Sequence, residues 1–556
     1  MTIGTREFEP PRPDASPSLD VRVTGGVVRG LRDSGQTSWL GIPYARAPVG
    51  DLRFRAPQPA EPWAGVRDAT RFGRVATQAY HGQFRGVGPG VPSGEDCLNL
   101  NVTVPNEPRA PAAGLPVMVW IHGGGYSAGS SQDFAGRGDS FVASGRVAFV
   151  SLNYRLSALG YLDFSRHGTA ERPIDSNLGL RDQLAALQWV HENIAAFGGD
   201  PDTVTVFGES AGGNAITALL AMPAAKGLFA RAIAQSPPAS AFYSPDLAAA
   251  WADQYLQILR EQIAGEQAGG RAAGSRQIGG TRLGGTHFGS RAGRHPHGDR
   301  STASALELLT TTPATDLVTA SVTLQIRTPA TYPGTFCLAP VVDGDLLPEP
   351  PLTALREGRG LPVPLVVGTN EREGSIFRGK LDILPRSPER MRVVFGQAPP
   401  ESRQPMRDAY PGLPGRRPAG DFAGEYGFWF PSVRLADHQS RTAPVYAYRF
   451  DAAPRLLRVT GLDATHGVEV PVLFDQGESP LVRAMSLLGG REPFAAAGTR
   501  MRRYWLEFAT TGAMPDSWPA YTQDERSTLI IDDTDRIERN PRGDKRAVWE
   551  RFLPQL

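Results

Sequence analysis

Residues 203–222 read TVTVFGESAGGNAITALLAM, and this stretch decides the fold. Its first part, TVTVF, is apolar and β-branched, the composition of a buried strand. Its last part, ITALLAM, reads as a helix that Pro223 ends. Between them Gly208-Glu209-Ser210-Ala211-Gly212 forms the pattern G-x-S-x-G. A sharp strand-to-helix turn can hold a serine out above a sheet edge, but only if its neighbours are small. Gly208 and Gly212 supply that room. A plain polar turn would explain the five residues equally well. A strand before them and a helix after them favour an elbow that presents Ser210 as a nucleophile. The helix start also sets positive potential beneath a developing oxyanion.

The surrounding chain repeats the alternation. PVMVWI (116–121) and VAFVSL (147–152) are short apolar runs that read as buried strands. In 176–199, Leu180, Leu184, Leu187 and Ile194 share one helical face, and Gly198 and Gly199 close the helix. Further strands are expected at 230–235, 363–368 and 444–450. Strand and helix in turn predict an α/β fold with a mostly parallel sheet covered on both faces. Residues 1–19 read as a disordered tail. Residues 265–300, with 11 glycines and six arginines, read as a disordered insertion.

A nucleophilic serine needs an oxyanion site, a base and an acid. His122-Gly123-Gly124-Gly125 directly follows strand 116–121. Glycines let a chain turn backbone N–H groups toward a substrate, so Gly124, Gly125 and Ala211 are the candidate oxyanion donors. In such folds the order along the chain is serine, acid, histidine. Of the nine histidines, four precede Ser210, and His287, His295 and His297 lie in the Gly/Arg segment. His438 stands in LADHQSR, which reads as a solvated helix face. His466 stands in a glycine-containing loop, GLDATHGVEVPVLF, and is the favoured base. The acid is expected beyond strand 363–368, where Glu371 and Glu373 cannot be told apart by spacing; Asp343 and Asp345 are rivals. Glu209, next to the serine, is read as structural or as tuning the local field.

Composition excludes several classes. Lys+Arg is 58 and Asp+Glu 57, so no global field draws the chain to nucleic acid or an acidic membrane. No apolar run approaches the ~20 residues needed to cross a bilayer. The first residues carry charges and prolines rather than an apolar signal core. Two cysteines, Cys97 and Cys337, are too few for a disulfide scaffold, and a cytoplasmic protein is expected. The three histidines of the Gly/Arg segment lack the cysteines or carboxylates of a metal site, and no metal or organic cofactor is expected.

Taken in order, these motifs resemble the type-B carboxylesterases of the α/β-hydrolase superfamily. The likeness covers most of the chain. FGGDPDTVTVFGESAG (197–212) fits the family's active-serine signature. EDCLNLNV (95–102) is similar to its second signature, with Asn99 where an aromatic residue or threonine is usual. GIPYARAPVGDLRFRAP, NYRLSALGYL, VVDGDLLPE and GTNEREGSIF also resemble family segments. The resemblance implies an α/β-hydrolase fold with large helical and loop insertions. It also implies a serine esterase acting on small to medium carboxylic esters through an acyl-enzyme. Its acid falls on Glu373, its base on His466, and its oxyanion donors on Gly124, Gly125 and Ala211. The same triad could serve a carbamate, amide or thioester hydrolase, and some relatives of the fold are non-catalytic binding proteins. Three departures stand out. Ala76 occupies the place of the cysteine that often pairs with Cys97. No tryptophan lies within 79–94, so choline esters are not expected. Pro237 follows Ser236 where the family has glycine, which is expected to reshape the acyl pocket.

Overall fold

The computed structural model describes residues 19–84, 86–88, 90–109, 114–274 and 303–556. Eleven strands form one sheet: β1 (Leu31–Arg32), β2 (Gln36–Pro43), β3 (Asn99–Pro105), β4 (Leu115–Ile121), β5 (Ala148–Leu152), β6 (Gly199–Glu209), β7 (Arg231–Gln235), β8 (Leu365–Asn370), β9 (Val445–Phe450), β10 (Thr528–Ile531) and β11 (Arg536–Glu538). Across the sheet they lie in the order β11-β10-β9-β8-β7-β6-β4-β5-β3-β2-β1. From β5 to β10 every neighbouring pair is parallel, and both margins are antiparallel. A small separate sheet joins Asp20–Val23, Gly26–Arg29 and Val66–Asp68.

The central strands are apolar on both faces because both faces are covered. In β4, Val117, Val119 and Ile121 enter one core cluster, while Met118 and Trp120 enter another. In β7, Ala232 and Ala234 go one way and Ile233 the other. The first cluster takes in helices α1 (Leu178–Asn193), α2 (Ala211–Ala221), α3 (Pro245–Gly274) and α4 (Ala314–Thr331). Helix α5 (Phe430–Gln439) packs against β8 and β9. The second cluster is roofed by α6 (Arg491–Thr511), through Phe494, Met501, Trp505 and Phe508. Among the described residues, no helix is long and apolar enough to cross a membrane.

Expected and observed elements differ at a few points. Residues 1–18 of the expected tail lie outside the described residues. Leu19 is tied to the fold: its carbonyl accepts from the Gly30 N–H at 2.8 Å and from Trp39 Nε1 at 2.9 Å. Helix α3 runs on to Gly274, into the start of the Gly/Arg segment. The rest of that insertion, residues 275–300, lies outside the described residues. Gly198 does close the helical segment, in the left-handed region at φ 82°, whereas Gly199 opens β6.

Candidate active site

Ser210 stands between the end of β6 and the start of α2 with φ 58° and ψ −118°. Side chains rarely adopt that conformation, and it persists because the surroundings fix it. A Cβ on Gly208 would lie 2.5 Å from the Ile121 carbonyl oxygen, and one on Gly212 only 2.1 Å from it. The two glycines therefore let β6 and α2 close onto β4 around the serine. All of α2 is buried, so the turn rests on a packed helix.

Three chain segments far apart in sequence meet here. Ser210 Oγ lies 2.8 Å from His466 Nε2, and His466 Nδ1 lies 2.6 Å from Glu373 Oε2. The second oxygen of Glu373 accepts from Ser236 Oγ and from the Asn370 N–H, both at 2.6 Å. Phe428 and Phe377 pack beside the imidazole, tilted to it, with ring centroids 4.4 and 5.2 Å away. Gly124 and Gly125 have φ of 110° and 59°, which aims their backbone as only glycine readily allows. Ala211 is the first residue of α2, where an N–H has no partner within the helix.

Glu209 adds a second carboxylate, with Oε1 3.3 Å from His466 Nε2. Burial pushes the Glu209 carboxyl up to about 8; a charged His466 pulls it back, and Glu469 and Glu373 add to the rise. Burial works against the His466 imidazolium, but Glu209 and Glu373, the Glu373 hydrogen bond and Glu469 outweigh it and hold the ring at about 9. The two tendencies compete, since a protonated Glu209 has no charge with which to keep a proton on His466. His466 Nε2, 2.8 Å from Ser210 Oγ, is placed to accept the serine proton.

The other candidates are accounted for. Asp343 accepts from Ser176 Oγ at 2.6 Å and from Asn177 Nδ2 at 2.8 Å, and Asp345 pairs with Arg181 at 2.7 Å. Among the described residues Glu371 makes no hydrogen bond to His466; its N–H donates to the Phe450 carbonyl at 3.0 Å. His438 corrects the expectation of a solvated helix face. It is completely buried in α5, and neither ring nitrogen has a hydrogen-bond partner among the described residues. Burial lowers its pKa to about 3, with Arg434, Arg441 and Arg356 adding to the effect. His122 is also structural: its ring stacks on Tyr154 at 4.3 Å, and burial lowers its pKa to about 4 against the pull of the Gly123 carbonyl. Ser236 went unnoticed in the sequence as a partner of the acid. Its place just past the carboxyl end of β7 is the available signal, because side chains there face the crevice of a parallel sheet.

A pocket opens over Ser210, walled largely by apolar side chains including Phe84, Pro238, Phe336 and Ile383. Pro237 is not part of this wall; Pro238 and Ala241 are. Cys97 and Cys337 are both buried and unpaired. Burial pushes the Cys337 thiol, in the pocket wall, up to about 12, so it is an inert wall group rather than a nucleophile.

A profile of the Carboxylesterase family matches residues 16–397 and 415–549. The chain belongs to the carboxylesterase family. It is 36% identical over 525 residues to a para-nitrobenzyl esterase of Bacillus subtilis, covering 94% of this chain and 96% of that protein. It is 29% identical over 587 residues to an acetylcholinesterase of Leptinotarsa decemlineata, covering 97% and 86%. Among solved structures, a PNB esterase superposes with TM-score 0.77 at 34% identity, covering 95% of this chain and 99% of that one. The Geobacillus stearothermophilus carboxylesterase EST55 superposes with TM-score 0.74 at 32% identity, covering 96% and 100%. The fold is the α/β-hydrolase fold, and the protein is a carboxylic ester hydrolase.

Proposed function

We propose that this carboxylesterase hydrolyses small to medium carboxylic esters through an acyl-enzyme on Ser210. The observation that carries the reading is the continuous chain from Ser210 Oγ to His466 to Glu373, 2.8 and 2.6 Å per link, at the foot of an apolar pocket. Ser210 Oγ attacks the ester carbonyl carbon while its proton passes to His466 Nε2. The carbonyl oxygen becomes an oxyanion facing the N–H groups of Gly124, Gly125 and Ala211. As the tetrahedral species collapses, the bond to the alkoxy oxygen breaks and His466 returns its proton to the departing alcohol. Water then repeats the sequence on the acyl-serine and releases the acid. Glu373 holds the imidazole with Nδ1 protonated and stabilises the imidazolium; Ser236 and Asn370 fix Glu373 in turn. The steps need neither a metal nor an organic cofactor. The same machinery can act on carbamates, amides or thioesters, and matched substrates with each leaving group rank them. Two buried, unpaired thiols support placing the protein in the reducing cytoplasm.

The test is Ser210→Ala, assayed with p-nitrophenyl esters and by fluorophosphonate labelling with peptide mapping. Turnover is expected to fall by about 10⁴-fold or more, with the label lost from the peptide containing residue 210. Wild-type turnover in that variant refutes the assignment. His466→Ala is expected to abolish the acylation burst, and His438→Ala to leave it intact.

A further inference from the structure

Among the described residues, one buried polar atom of the side chains lining the Ser210 pocket has no hydrogen-bond partner. Gln325, in α4, lines the pocket and is only 7% exposed, yet its Oε1 has no hydrogen-bond partner among the described residues. The other polar side chains there are committed. Asn214 accepts from Tyr126 Oη at 2.7 Å and donates to the Pro238 carbonyl at 2.9 Å. The hydroxyls of Thr328 and Thr335 donate to the carbonyls of Leu324 and Tyr332, both at 2.8 Å. Gln83 Nε2 donates to the backbone carbonyl of Gln325 at 3.5 Å. That bond fastens the loop to α4 and leaves the Gln325 side chain unclaimed.

The position of Gln325 follows from a chain of contacts. A Cβ on Gly125, an oxyanion candidate, would meet the Phe84 ring at 2.3 Å, so Phe84 lies directly over that glycine. Gln83 is the next residue along, and it touches Gln325. Gln325 therefore stands beside the segment that carries Phe84, and among the described residues it makes no hydrogen bond to Ser210. A buried acceptor without a donor discriminates strongly. A ligand N–H or O–H satisfies it, while an alkyl group of the same size seals it away unpaired.

We propose that Gln325 is a specificity-determining residue that selects esters bearing a hydrogen-bond donor, a hydroxyl or a secondary amide N–H, on the arm remote from the scissile carbonyl. The inference rests on the Ser210 pocket being the ester site. It adds a substrate class that an apolar pocket alone does not supply.

The test compares kcat/KM for matched esters. In one series p-nitrophenyl esters carry acyl arms ending in an acetamido group or in an alkyl group of equal length, over graded spacers. In a second series the same two endings are placed on the alcohol arm, and acid release is followed by titration. The wild-type enzyme is expected to favour the acetamido ester at its best spacer. Gln325→Leu is expected to cut that preference about tenfold, or ~1.4 kcal/mol. Gln325→Glu, which keeps an acceptor, is expected to retain it. Thermal midpoints verify that each variant is folded, and the wild-type ratio needs no variant. Absence of a wild-type preference in both series, or a preference that Gln325→Leu leaves unchanged, overturns the inference. Full activity of Ser210→Ala on the plain alkyl esters would instead overturn Ser210 as the nucleophile, so the two failures are distinct.

Discussion

Replacing Glu209 by glutamine removes a charge and almost no volume beside the base. The carboxylate oxygen lies 3.3 Å from His466 Nε2. Full charges at that separation attract by about 5 kcal/mol at an effective dielectric of ~20. Only part of this reaches the pH profile, because burial raises the Glu209 carboxyl to about 8 and a protonated Glu209 exerts no such pull. The sign is fixed nonetheless. His466 stands at about 9, with burial opposing the charged ring and Glu209 the largest influence favouring it. Without that carboxylate the ring gives up its proton at lower pH, so the free base persists into more acidic solution. The acid limb of kcat/KM is expected to move down by about one pH unit, or ~1.4 kcal/mol. The assay is kcat/KM for p-nitrophenyl butyrate across the acid and neutral range, wild type against Glu209→Gln. An acid limb that stays in place, or moves to higher pH, refutes the pull assigned to the Glu209 carboxylate.

Two further outcomes follow from named contacts. Ser236→Ala removes one of the donors to Glu373 Oε1 and leaves the Asn370 N–H; a hydrogen bond to a charged group is worth about 1.5–3 kcal/mol, so kcat is expected to fall roughly tenfold to a hundredfold in steady-state assays. Arg155 and Asp182 form a buried pair through Nε and Nη2 at 2.8 and 2.6 Å, with side chains 4% and 0% exposed. Asp182→Ala strands the guanidinium and is expected to destabilise the fold by about 3–5 kcal/mol, whereas an apolar replacement of both partners recovers most of the loss of thermal midpoint.

The parts legible in the sequence are those whose physics is local. The elbow demands small residues within one turn of Ser210, and Gly208 and Gly212 stand there because β4 passes within van der Waals contact. Strands β4 to β9 could be read because covering both faces leaves no polar alternation. What stayed hidden depends on packing between distant segments. LADHQSR reads as a wet surface, yet His438 is completely buried in α5, and no local pattern announces that. Glu371 and Glu373 differ by two positions, and their spacing cannot say which one the His466 loop meets. The family likeness pointed to Glu373, and that carboxylate is the one hydrogen-bonded to His466. Ser236 and Gln325 look like ordinary polar residues until the elements around them are in place.

The distance along the chain between the reacting groups has its own consequence. Ser210 precedes His466 by 256 residues. At the usual ~5–20 residues per second of synthesis, roughly 10–50 s separate their appearance on the ribosome. Throughout that interval the proposed nucleophile stands without its proposed base. The segment carrying His466 arrives late, and with it the expected capacity to be acylated. A truncated chain that ends before that loop is therefore expected to leave esters untouched, and acylation of Ser210 to require that translation has passed residue 466.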